Sequence, residues 1–219
     1  MRHFFHLVFV FLVFSPLITQ AQWTDGMNAT YVMGQSNFTT ATSGSGTQGM
    51  TSPVKVAIDL VNNKIYVVEV TNSRVLRFSY PLTGNQPTAE LVFGQADFTG
   101  TSSNRGSSNP AANTLSAPYG VAVYNGTLWI SDGSNNRVLK FNNAHSLSSN
   151  GPNADVVLGQ SGFTANGFAT AQNRMRGPRA VAIDSSGNLW VADFTNNRVL
   201  RFDNAASKSS GANADGVLG

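Results

Sequence analysis

Residues Ala180–Phe202 read AVAIDSSGNLWVADFTNNRVLRF, and the same pattern occurs twice earlier, as Gly120–Phe141 and Lys55–Phe78. Each copy holds three short apolar runs, in the third Val181–Asp184, Leu189–Ala192 and Val199–Phe202. Between them lie SSGN and DFTNN, whose Gly, Asn, Asp and Ser favour tight turns. Runs of this length bounded by turn residues predict a three-stranded meander. A fourth apolar run ending in Gly-Gln recurs at Tyr31–Gln35, Leu91–Gln95 and Val156–Gln160, and starts again at Gly216–Gly219. Its glycines, Gly34, Gly94, Gly159 and Gly219, return every 60 to 65 residues. Four strands at a fixed period predict one antiparallel sheet per repeat, which is the unit of a β-propeller.

Composition agrees. The 219 residues are 41% hydrophobic but only 11% charged, with Gly, Ser, Thr and Asn supplying much of the polar share. That is a loop-rich, all-β composition. The formal net charge of +3 is spread along the chain and forms no basic stripe, so nucleic acid is not an expected partner. There are no cysteines, which excludes disulfides, thiol nucleophiles and Cys-ligated metal.

The N-terminus reads as an export signal over 1–21. Arg2 and His3 precede an apolar run, Phe4–Phe14, interrupted only by His6; Pro16 ends it, and Thr19-Gln20-Ala21 is a small-x-small cleavage site. The run is shorter than the roughly 20 residues a membrane span needs. The expectation is a mature chain that acts outside the cytoplasm, secreted, periplasmic or at the cell surface, with no further membrane segment. Sequons stand at Asn28, Asn37 and Asn125, as chance alone supplies in a chain so rich in Asn and Thr. Residues 22–30 form a short N-terminal segment. The propeller covers 31–219, with repeats at 31–80, 91–142 and 156–204 and the next blade strand starting at 216.

With strands a, b, c and d ordered from axis to rim, the d-to-a loops and b-to-c turns share one face. The loops are long, Phe38–Ser52, Phe98–Ala117 and Phe163–Gly177, and each is followed at once by proline. Function on a rigid scaffold concentrates in such loops.

The pattern Pro-x-x-Val-Ala-Ile-Asp…Gly-Asn-Leu-Trp-Val-Ala-Asp-x-x-Asn-Asn-Arg-Val resembles the NHL repeat of six-bladed propellers. The third copy matches best, through Pro178, Val181, Ala182, Asp184, Gly187, Asp193, Asn196, Asn197 and Arg198. The second departs at Tyr124, which replaces the first Asp; the first departs at Glu69, for the second Asp, and Asn63, for the Gly. The resemblance implies three blades of a partial propeller, six-bladed when complete. A chain stopping within the Gly-Gln motif is expected to be part of a longer one, with further blades in cis. Self-association of two three-bladed chains is the alternative.

Candidate chemistry is sparse, and no catalytic residue is assigned. The sets Glu69/Asn72/Arg74, Asp132/Asn135/Arg137 and Asp193/Asn196/Arg198 recur in every copy, which points to framework, with carboxylate and arginine paired across the hairpin. Asp59 and Asp184 end the innermost strands and are weak candidates for Ca²⁺; no cofactor is otherwise expected. His145 is the one histidine left after signal removal, too few for a zinc site or a serine triad. Trp129 and Trp190 share one b-strand position, held by Tyr66 in the first copy, and predict packing between blades. Phe38, Phe98 and Phe163 recur at the loop starts, where they either tuck the loop down or stack a ligand. Arg174, Arg176 and Arg179 flank Met175 and Pro178 in the third loop, the least repetitive and most charged feature of the loop-rich face. Together these point to a binding scaffold for protein or carbohydrate. The alternative is a Ca²⁺-dependent hydrolase or lyase completed by further blades.

Overall fold

In the computed structural model, residues 25–219 are described. They fall into two units: an N-terminal one, whose described part, 25–30, is turn and coil, and Tyr31–Gly219. The stretch 1–21, expected from the sequence to be an export signal, lies outside the described residues.

Three four-stranded antiparallel sheets occupy the larger unit. The first is β1 (Pro53–Asp59), β2 (Lys64–Glu69), β3 (Arg74–Ser79) and β4 (Leu91–Phe93), in that order. The second is β5 (Pro118–Tyr124), β6 (Thr127–Asp132), β7 (Arg137–Phe141) and β8 (Val156–Leu158). The third is β9 (Pro178–Ile183), β10 (Leu189–Asp193), β11 (Arg198–Phe202) and β12 (Gly216–Leu218). Each sheet is therefore a meander plus the Gly-Gln strand that follows it. Strand β5 packs against β1 on one side and β9 on the other, so the first strand of each sheet is innermost. The chain is an all-β partial propeller of three blades.

Local chemistry explains the turns. The b-to-c turns end on left-handed residues, Ser73, Asn136 and Asn197, with φ of 47°, 54° and 54°. The hairpin between β5 and β6 is Asn125-Gly126, both at positive φ, as a tight two-residue turn demands. The glycine of each Gly-Gln motif also has positive φ, and a Cβ on Gly94 or Gly159 would strike Leu115 or Met175 from the following loop. Glycine there lets the long loop press an apolar anchor onto the end of the d strand.

Tyr31–Gln35 carries the d-strand sequence but forms no strand, a correction to the sequence expectation. A three-residue d strand exists only by pairing with a c strand, and among the described residues no c strand faces this segment. It still makes the contact d strands make with the next blade. Val32 N donates to Asn85 Oδ1 at 3.0 Å and Gln86 N to Val32 O at 2.8 Å. Val92 repeats this with Asn150 and Gly151, and Val157 with Ser210 and Gly211.

The core lies between blades. Tyr66, Val68, Phe93, Leu128, Ile130 and Phe141 fill the seam of blades one and two. Trp129, Val138, Val181, Leu189 and Phe202 are among those that fill the next. Each fully buried large apolar side chain contributes about 1.5–3 kcal/mol, so blade-to-blade packing dominates the fold. Tyr66 and Trp129 serve this packing as expected, both fully buried, and their Oη and Nε1 find no partner.

Candidate functional site: the loop-rich face

The repeated signature is used up in holding this face together. In blade two, Asp132 Oδ2 accepts from Arg137 Nε and Asn135 Nδ2, both at 2.8 Å, while Oδ1 accepts from Ser116 N at 2.7 Å. Burial pushes the Asp132 carboxyl up, with the Arg137 guanidinium the strongest opposing influence. The rest of the guanidinium reaches Ala111 O and Thr114 O in the preceding loop, each at 2.9 Å, and Phe163 O in the following one. Glu69, Asn72 and Arg74 repeat the arrangement, with Arg74 bound to Gly49 O and Phe98 O. Asp193, Asn196 and Arg198 repeat it again, with Arg198 bound to Thr170 O, Ala171 O and Arg174 O. Each arginine thus pins loop carbonyls to its own b-to-c turn. The Gly-Gln glutamines add to this: Gln95 Nε2 donates to Asn72 O, Ser73 O and Ser102 O, and Gln160 Nε2 to Asn136 O and Gly167 O.

Asp59 and Asp184 cap the a-to-b hairpins, at the other end of the strands. Asp59 accepts from Asn62 N and Nδ2; Asp184 accepts from Ser186 N, Asn188 N, Asn188 Nδ2 and Trp190 Nε1. The Trp190 and Asn188 donors hold the Asp184 carboxyl below its ordinary range. Among the described residues no three His, Asp or Glu side chains gather as a metal set would. His145 lies on the c-to-d link, with Nδ1 buried and without a partner.

What differs between blades lies at the start of each innermost strand. Each a strand begins with a proline opposite the signature carboxylate, followed by a bulge, at Val54, at Tyr119 and within Arg179–Ala180. A bulge breaks the alternation of side chains and re-aims the extra residue. The bulge is common to the blades, but the residues are not: valine, tyrosine, arginine. The residue after the carboxylate varies too, as Val70, Gly133 and Phe194. Gly133 makes room for Tyr119, since a Cβ there would lie 2.9 Å from the ring. The Arg179 guanidinium sits 3.6 Å from the Phe194 ring centroid and 5.1 Å from that of Tyr119. Beside it, Arg176 stacks on Phe168 at 4.4 Å. Phe168 and Phe194 are 60% and 52% exposed. Among the described residues, neither Arg176 nor Arg179 has a carboxylate within 4.0 Å.

Of the residues singled out in sequence, Arg176 and Arg179 join this row. Arg174 turns inward, donating to Gln160 Oε1 at 2.8 Å. Phe98 and Phe163 are half-buried and packed against the core clusters, which anchors their loops; Phe38 is exposed. Tyr119, Phe168 and Phe194 carried no motif. Their signal was negative: they occupy equivalent positions where the repeats disagree.

Residues 175–202 match the family model of the NHL repeat. No curated protein matches the chain. Among solved structures it is similar to selenomethionine-substituted virginiamycin B lyase from Staphylococcus aureus, at 14% identity and a TM-score of 0.41. It is also similar to a catalytically inactive form of that lyase with quinupristin, at 15% and 0.40. Each likeness covers 68% of this chain and 37% of the other, so the chain spans little more than a third of the length of these proteins. The third blade therefore carries an NHL repeat, and the first two blades are built on the same carboxylate–Asn–Arg framework.

Proposed function

We propose that this chain is an exported interaction module that binds a protein or glycan on its loop-rich face, without catalysis. The observation that carries this reading is the row Tyr119–Arg179–Phe194. Non-repeating residues occupy repeating positions there, two of them bulged, and a guanidinium lies close to two aromatic rings with no carboxylate beside it among the described residues. Arginine and aromatics concentrated at a surface are the composition of binding hot spots. The repeating polar groups are already committed to loop carbonyls and leave no acid–base pair free for chemistry.

The test is binding to immobilised glycan and peptide arrays by the intact chain and by two variants. Phe194→Ala with Phe168→Ala should abolish the captured signals. Asn142→Ala with Asn204→Ala, on the links of the other face, should leave them unchanged. Signals lost with the second variant and kept with the first would refute the reading.

A further inference from the structure

Resting on that reading, we infer that the partner is a polypeptide segment that is apolar at one end and acidic at the other, bound across the innermost strands from Val54 past Tyr119 to Arg179. Three observations define the segment. First, charge: among the described residues the Arg176 and Arg179 guanidiniums have no anionic partner, while Arg74, Arg77, Arg137, Arg198 and Arg201 each have one, and Arg105 and Arg174, which have none either, spend their donors on backbone carbonyls and on Gln160 Oε1. A guanidinium stacked on a ring keeps its N–H edge free, and that edge matches a carboxylate in two parallel hydrogen bonds.

Second, order: β1, β5 and β9 are neighbours, so their bulge residues form a row that runs from apolar (Val54, 49% exposed) through aromatic to cationic. An extended peptide crossing that row meets apolar surface at one end and positive charge at the other. Third, the rings themselves: Phe168 and Phe194 each carry a guanidinium over one face. That face is closed to the stacking on which sugar and base recognition rely. The exposed remainder of the rings suits the aliphatic side chains of a peptide.

Fluorescence anisotropy with a fluorescein-labelled peptide of a short Leu run followed by a short Glu run, titrated with the intact chain, tests this. Binding should appear, weaken as salt rises, and be absent for the same peptide with Gln in place of Glu. Arg176→Gln with Arg179→Gln, a change of two exposed side chains, should weaken it at least about tenfold. Equal binding of the Gln peptide, or full retention by the double variant, would overturn the proposal. Displacement by hexagalacturonate or by oligouridylate at lower concentration than by unlabelled peptide would reassign the row to an acidic glycan or to RNA. That outcome ends the peptide assignment and leaves the loop-rich face as the binding face. Loss of peptide binding in Arg201→Gln, away from this face, with none in the double variant, would remove both.

Discussion

Blades two and three share a signature residue for residue, yet they live in different surroundings. In blade two, Asp132 and Arg137 are both fully buried; in blade three, Asp193 is buried but the Arg198 side chain is 13% exposed. Strand β8 is buried throughout, whereas Val217 and Leu218 of β12 are 59% and 58% exposed. Lys140 reaches into the next blade to donate to Ala206 O at 2.6 Å, as Arg77 does to Ala144 O. Arg201, their counterpart, turns back to Asp203 and lies 5.7 Å from the Trp190 ring. The carboxylate–Asn–Arg framework forms inside a blade whatever its neighbours. The hydrophobic stabilisation of the blade depends on the sheet next to it.

The comparison can be pushed hardest at the buried pair. Arg137→Met leaves the Asp132 carboxylate without its main partner in a dry site and should cost about 3–5 kcal/mol. Arg198→Met should cost less, because water reaches that guanidinium. Urea denaturation of both variants measures the gap, and equal losses would mean that the neighbouring blade does not set the strength of the framework.

Next in size is the seam. A Cβ on Gly120 would press on the Arg179 carbonyl oxygen and lie 2.9 Å from Ser131 Oγ, where β5 meets β9. Gly120→Ala should therefore destabilise by about 1–3 kcal/mol through overpacking. In Gly187→Ala the nearest atom is 3.6 Å away and only the φ of +79° is at issue, which costs about 1 kcal/mol. Thermal melts of the two variants rank them. The reverse order would show that blades two and three can slide apart to absorb a methyl group.

The smallest effect separates the two tryptophans. Trp190 Nε1 bonds to Asp184, whose carboxyl is held low, chiefly by that bond; Trp129 Nε1 has no partner because Tyr124 stands where the acid would be. A carboxyl with a lowered folded pKa contributes stability that is fully present above its unfolded value, near 4, and lost as pH falls through the folded one. Acid titration of fluorescence below pH 4 should thus show a Trp190 component that vanishes in Trp190→Phe and persists in Trp129→Phe. A transition that instead follows Trp129 would refute the assignment.

Much of this was legible in the chain. The turn residues and the spacing of Gly94, Gly159 and their relatives predicted the four-stranded blades. The five-residue separation of Asp132 and Arg137 predicted their pairing. Phe98 and Phe163 were ambiguous, since an aromatic at a loop start packs down or stands out according to what lies beneath it. Tyr31–Gln35 misled, because a strand is a property of a pair and the sequence shows only one member. Of the Tyr119–Arg179–Phe194 row only Arg179 stood out, by its charge; the aromatic members could not be read, because the row spans two blades and no spacing rule joins it.

The sequence by itself determined the architecture, because turn chemistry, alternation and the hairpin-spanning ion pair act over a few residues and repeat. Tertiary structure decided which face of each blade is buried, that Arg174 turns in while Arg176 and Arg179 turn out, and that a bulge aims Tyr119 beside Arg179. Those outcomes depend on contacts between separate elements, as of Arg174 with Gln160 and of Arg179 with Tyr119, where local periodicity carries no information.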